Sequence, residues 1–188
     1  MKKGFTLIEL LAVIIILGVT IAIVITKVDN NIKNANNFVD EQQVKEIENA
    51  AYLYAEEFSN EIEGFNTLKV GKVSINTLVE KGYLKTKDVE NISTSNVVMI
   101  AEIDNYIKTK YTEIERNAIF LNGSDTVSIN MGSRYVELGA YVAIPGTGLV
   151  KLESSNISSN VNNSTKGEYK VTYSYSGAEE VVRKVQVL

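Results

Sequence analysis

One carboxylate stands inside the apolar N-terminal run of this 188-residue chain. Glu9 follows Gly4-Phe5-Thr6-Leu7-Ile8 and precedes an aliphatic stretch that lasts to Thr26. From Phe5 to Ile25, ahead of Thr26, only Thr6, Glu9 and Thr20 break the apolar character, with no proline and one glycine, Gly18. A helix of about 20 residues spans roughly 30 Å, the hydrocarbon thickness of a bilayer. Within that layer a charge costs about 2.5–3.5 kcal/mol, so a carboxylate there needs a partner. Lys2 and Lys3, ahead of the run, predict a cytoplasmic N-terminus and an exported remainder. The run leads into Ile25-Thr-Lys-Val-Asp29 with no A-x-A-like cleavage site. The segment therefore reads as a retained membrane span and not as a secretory signal.

Elsewhere the residue types speak against catalysis. The chain has no His, the commonest general base and metal ligand, and no Cys, hence no disulfide and no thiolate metal site. Its serines have no His to activate them. Glu56-Glu57 and Glu179-Glu180 are adjacent in sequence, so they splay apart on a helix or strand and read as solvated faces. Asp125, Glu137 and Glu153 are acidic enough for Ca²⁺ but lack the spacing of a binding loop. Gly146-Thr-Gly148, after Pro145, lacks the Lys and the strand-to-helix context of a phosphate loop and reads as a turn. Tyr169, Tyr173 and Tyr175 read as sheet packing and not as a sugar platform. The net charge of −4 leaves no basic footprint for nucleic acid. The expectation is a chain that is not an enzyme, with no cofactor, no metal and no nucleic-acid partner.

From Lys27 to about Ser59 the helical pattern continues in amphipathic form. Val28, Ile32, Ala35 and Val39 share one face, and Val44, Ile47, Ala51, Tyr54 and Phe58 resume it after a phase slip. Residues 5–59 then make one helix of roughly 80 Å at about 1.5 Å per residue. The Asn-rich stretch Asn30–Asn37 is its weakest part. Glu63-Gly64 marks its end.

Gly4-Phe5-Thr6-Leu7-Ile8-Glu9 with an aliphatic helix behind it resembles the leader junction of type IV pilins and pseudopilins. The resemblance implies that a prepilin peptidase cuts between Gly4 and Phe5 and methylates the new amine of Phe5. That amine then lies one helical turn from Glu9, and in a filament it meets the Glu9 of a neighbouring subunit. Such a pair sets axial register more than net stability. Gly18 resembles the position near which pilin helices loosen in filaments. Many Gram-negative pilins close a C-terminal loop with a disulfide, which a chain without Cys cannot do. The Ile, Lys and Asn usage suggests a Gram-positive source.

After the long helix, Val73–Leu84 reads as a short helix. Ser74 is its N-cap, Ile75, Leu78 and Val79 form its apolar face, and Gly82 takes the left-handed C′ position. Its L-x-x-x-G-Y-L unit (Leu78 to Leu84) resembles the heads of Gram-positive pilins. Val97–Ile103 reads as a strand that Asp104-Asn105 turns into Tyr106–Tyr111 as a hairpin, although Ile103, Ile107, Tyr111 and Ile114 also fit a helix. From Ala118 onward short alternating runs separated by turns predict a β-sandwich: Thr126–Ile129, Tyr135–Leu138, Tyr169–Tyr175 and Val181–Val187. Tyr135-Val-Glu-Leu-Gly-Ala140, Lys166-Gly-Glu-Tyr-Lys-Val-Thr-Tyr173 and Arg183-x-Val-x-Val187 resemble bacterial surface immunoglobulin-like modules. The acidic D-x-D-G loops of some such modules are absent, with Ile157–Thr165 in their place.

The fold class expected is α+β. It comprises a leader at 1–4, the long hydrophobic and amphipathic helix at 5–59 with 5–26 as membrane span and filament core, a small pilin head at 60–117, and an all-β Ig-like sandwich at 118–188. The resemblance implies a structural subunit of a type IV pilus, with the extra module pointing to a minor pilin and to adhesion. Its partners are then other pilin subunits, the prepilin peptidase, the assembly machinery, the cytoplasmic membrane before assembly and a surface or host receptor. Its location is single-pass in that membrane, N-terminus inside, then the extracellular pilus. Two alternatives remain open: a pseudopilin of a type II secretion or DNA-uptake system, and a single-span surface protein that never polymerises.

Overall fold

A computed structural model describes residues 41–90, 92–93, 96–112 and 116–188. Residues 44–188 form one compact unit. Leader, membrane span and the Asn-rich stretch lie outside the described residues, so the expected helix over 5–59 is visible only in its last part.

Residues 41–58 are helical (α1). Ile47, Ala51 and Tyr54 are buried on one face, as their spacing predicts, with Ala50 and Ala55 beside them. The α-helix stops earlier than Glu63-Gly64, tightening into a 3₁₀ turn at Ser59–Glu61. Gly64, at φ +78°, then opens a further short helix, α2 (Phe65–Leu68). β1 (Val70–Ser74) follows, and α3 (Ile75–Glu80) starts at the expected N-cap, where Ser74 Oγ accepts from Thr77 N at 3.0 Å. β2 (Val97–Ile103) and β3 (Tyr106–Thr112) form the expected hairpin. The two turn residues, Asp104 and Asn105, both have positive φ (52° and 65°). Two successive left-handed residues are what a tight hairpin turn needs, and Asp and Asn tolerate them. This decides the segment against the helical alternative.

The remaining strands are β4 (Ala118–Leu121), β5 (Thr126–Ile129), β6 (Ala140–Ile144), β7 (Gly148–Lys151), β8 (Ile157–Ser159), β9 (Gly167–Tyr173) and β10 (Val181–Val187). They pair as two sheets, β5-β10-β9-β8 and β4-β6-β7, beside the head sheet β1-β2-β3. Tyr135–Leu138, expected as a strand, belongs to none of the sheets. Its period-2 pattern is real, but it serves side-chain bonding: the Tyr135 and Glu137 side chains bond each other at 2.7 Å.

The strand faces stack the unit in four layers. Even-numbered residues of β2, Val98 and Ile100, pack with Ile47, Ala51 and Tyr54 of α1. Odd-numbered Met99, Ala101 and Ile103 face the other way and share a second cluster with Ala118 and Phe120 of β4 and Ala143 of β6. The opposite side of that sheet, Ile119 and Val142, packs on Val171, Tyr173 and Val185 of the last sheet. The order is helix, head sheet, three-stranded sheet, four-stranded sheet. The three-stranded sheet is covered on both faces, which explains its continuous apolar runs. Close approach seals one junction. Gly148 in β7 sits at φ +113°, and a Cβ there would lie 3.1 Å from Leu68 O of α2.

Phe120 bridges the head and the C-terminal sheets and is 5% exposed. Phe120→Ala is expected to cost about 3–5 kcal/mol. In denaturant unfolding the head and the C-terminal region should lose stability together. A variant in which only one of them shifts would contradict a shared core.

Candidate functional site

The residues to which the sequence assigns chemistry, Gly4, Phe5, Glu9 and Gly18, all lie outside the described residues. Among the described residues no group of His, Cys, Asp or Glu could hold a metal ion. Nor is any described helix long and apolar enough to cross a membrane.

The described part has a polar centre that the sequence did not announce. Arg183 follows the inward phase of β10 with Val185 and Val187 and is fully buried (0% exposed). Its Nε donates to Ser124 O at 2.9 Å, its Nη1 to Glu137 Oε1 at 2.8 Å, and its Nη2 to Asn122 O. Tyr173 and Tyr135 donate their hydroxyls to the same carboxylate, and Gly139 N donates to it at 2.7 Å. The guanidinium also lies 5.4 Å from the centre of the Tyr173 ring. A buried charge is tolerable only when paired and hydrogen-bonded, and this one is. The cluster ties the link between β4 and β5 to the start of β6 and to two strands of the last sheet. Glu137, acidic enough for Ca²⁺ together with Asp125 and Glu153, is thus committed to an arginine. The signal for Arg183 lay in the sequence as a cation in phase with two core valines.

Burial alone would raise the Glu137 carboxyl. Hydrogen bonds from Tyr173, Tyr135 and Gly139 N, with the Arg183 charge, outweigh it and hold the carboxyl below its ordinary value. Burial and the bond to Glu137 push Tyr173 well up, so it remains a donor.

A cleft of about 590 Å³ lies where α1, β3 and β4 meet. Lys108 and Lys110 reach from β3 to the outer edge of β4, donating to Leu121 O at 2.7 Å and Ile119 O at 3.5 Å. Burial lowers both amines. Across the cleft Glu48 Oε1 accepts from Tyr111 N at 2.9 Å. Side chains here occupy main-chain groups that a further strand would otherwise bond, which blocks edge-to-edge association. Glu57, expected as a solvated charge, accepts from Tyr83 OH, and Glu179 pairs with Arg116 at 2.9 Å.

Residues 119–187 match the family model described as a bacterial surface protein, Ig-like domain. Residues 1–25 match the prokaryotic N-terminal methylation motif. The chain thus combines a prepilin-type N-terminus with a bacterial surface Ig-like domain. No curated protein matches the chain. A lipoprotein of known crystal structure from Bacteroides thetaiotaomicron is similar over 38% of this chain, at 24% identity and a TM-score of 0.31. The match covers 37% of that protein's chain, little more than a third of its length.

The Glu137 carboxyl sets a sign for pH dependence. A carboxyl held below its unfolded value of about 4.5 contributes stability that is full above that value. That stability is lost as pH falls through the lower folded-state value. Glu137→Gln is expected to cost about 1–3 kcal/mol at neutral pH. It should also flatten the decline of thermal midpoint on the acid side. An unchanged acid slope would contradict the assignment.

Proposed function

We propose that the chain is a structural subunit of a type IV pilus, a minor pilin, and that it acts without catalysis. The combination of an N-terminal methylation motif at 1–25 with a surface Ig-like domain at 119–187 carries this reading. Residues 1–4 are the leader and residues 5–59 the assembly helix. Residues 60–117 are the head, and 118–188 the displayed module. Cleavage falls between Gly4 and Phe5, and Phe5 receives the methyl group. Glu9 takes the Phe5 amine of a neighbouring subunit and fixes the axial register, and Gly18 is where the helix loosens in the filament.

The described structure suits that role. The module is not strung on a linker but shares a core with the head, so a filament would present it at a fixed angle. Adhesion to a surface or host receptor is the task such a projection serves.

Glu9→Val tests the register. Removing one partner of a buried pair costs about 3–5 kcal/mol, roughly a hundredfold or more in an assembly equilibrium. The variant should accumulate in the membrane fraction and be nearly absent from sheared filaments. Incorporation equal to the wild type would sink the register role.

A further inference from the structure

The Ig-like region begins and ends on segments that run side by side in the same direction. At the leading end Asn117 N donates to Gly177 O at 2.8 Å, with a parallel bridge to Ala178. Further along, Arg183 Nε holds Ser124 O, and Lys184 N donates to Asp125 O at 2.8 Å. β5 then pairs parallel with β10, from Thr126 opposite Lys184 to Ile129 opposite Val187. Leu188 N closes the series on Ile129 O at 2.9 Å. The two segments therefore meet twice, at 117 with 177–178 and again from 124–129 with 183–188, while β4 between them pairs with β6 in the facing sheet.

This arrangement decides how the region responds to pulling. Tension between the leading segment and residue 188 draws two parallel segments in opposite directions along their own axes. No bond can then open until the register slips, so all of them share the load. In the opposite case, peeling from one end, the bonds fail one at a time, and each is worth only about 0.5–1.5 kcal/mol net. The register is itself expensive to change. A slip of one residue turns Val185 and Val187 away from the core. A slip of one or two residues also drags the buried Arg183 charge off its acceptors.

We infer that the region has a load-bearing function: it carries tension along its strands between its leading segment and residue 188 without opening. The inference stands apart from the filament reading, because it concerns the folded module alone and would hold for any surface-anchored chain.

Single-molecule pulling on the full chain in detergent micelles tests it. The chain has no cysteine of its own, so handles can be placed at will. Asp125→Cys with Leu188→Cys loads the β5–β10 pair in shear. Met131→Cys with Leu188→Cys loads it by peeling, since Met131 N bonds Leu188 O at the far end. All three positions are exposed. If Asp125→Cys loses cooperative thermal unfolding, Ser124→Cys takes its place. Forced unfolding reads the unfolding rate, and the shear geometry should need at least about twofold more force at the same pulling speed. Equal or lower force in shear would overturn the inference.

Discussion

A guanidinium with no access to water sits in the C-terminal half of this protein, and the surrounding chain is arranged to satisfy it. Arg183 is anchored on one strand, yet its acceptors come from the link after β4 and from the stretch before β6. Such a charge cannot be left half-paired, because the uncompensated state costs several kcal/mol. The β4–β5 link and residues 135–139 therefore have one arrangement available to them, although neither belongs to a sheet. Glu137 is the meeting point, taking Arg183, two tyrosine hydroxyls and a main-chain N–H. The sandwich has no disulfide, and this polar centre joins its two sheets alongside the apolar core.

The second constraint is the three-stranded sheet β4-β6-β7. It faces the last sheet on one side and the head sheet on the other, so its strands carry apolar residues in both phases. Cutting the chain near residue 117 would uncover Ala118, Phe120 and Ala143, which now pack on Met99 and Ala101. Head and Ig-like region are consequently joined by a core and not merely by a peptide link. That joint fixes the direction of the Ig-like region relative to the residues before 117. Within the region β5 and β10 pair in parallel, from Thr126 opposite Lys184 to Ile129 opposite Val187.

How much of this could be read from sequence depended on how locally each feature is encoded. The β2–β3 hairpin was legible because Asp104-Asn105 is a local turn signal between two strand-like runs. The α3 cap was legible because Ser74 needs only a main-chain N–H three residues on. β9 and β10 showed clean alternation because one of their faces meets solvent. β4 and β6 did not, since both their faces are buried and alternation vanishes. β1 was hidden by Gly71, which a propensity argument discounts. There a Cβ would come within 2.3 Å of Ile62 Cγ2, so the glycine is required by close packing. Tyr135–Leu138 misled because its alternation serves hydrogen bonding to Arg183 and not a ladder. The Arg183 centre is non-local: its partners lie 44 to 61 residues away in sequence. The N-terminal motif, by contrast, is contiguous. Gly4, Phe5 and Glu9 are read from spacing alone, within the stretch that matches the methylation motif over 1–25.

The central claim is that this N-terminus is processed and assembled as in pilins. Intact-mass and N-terminal analysis of the chain recovered from sheared surface material tests it most directly. The account predicts a chain that begins at Phe5, with one methyl group on its amine. A chain that still begins at Met1 and is found only in the membrane fraction would contradict it.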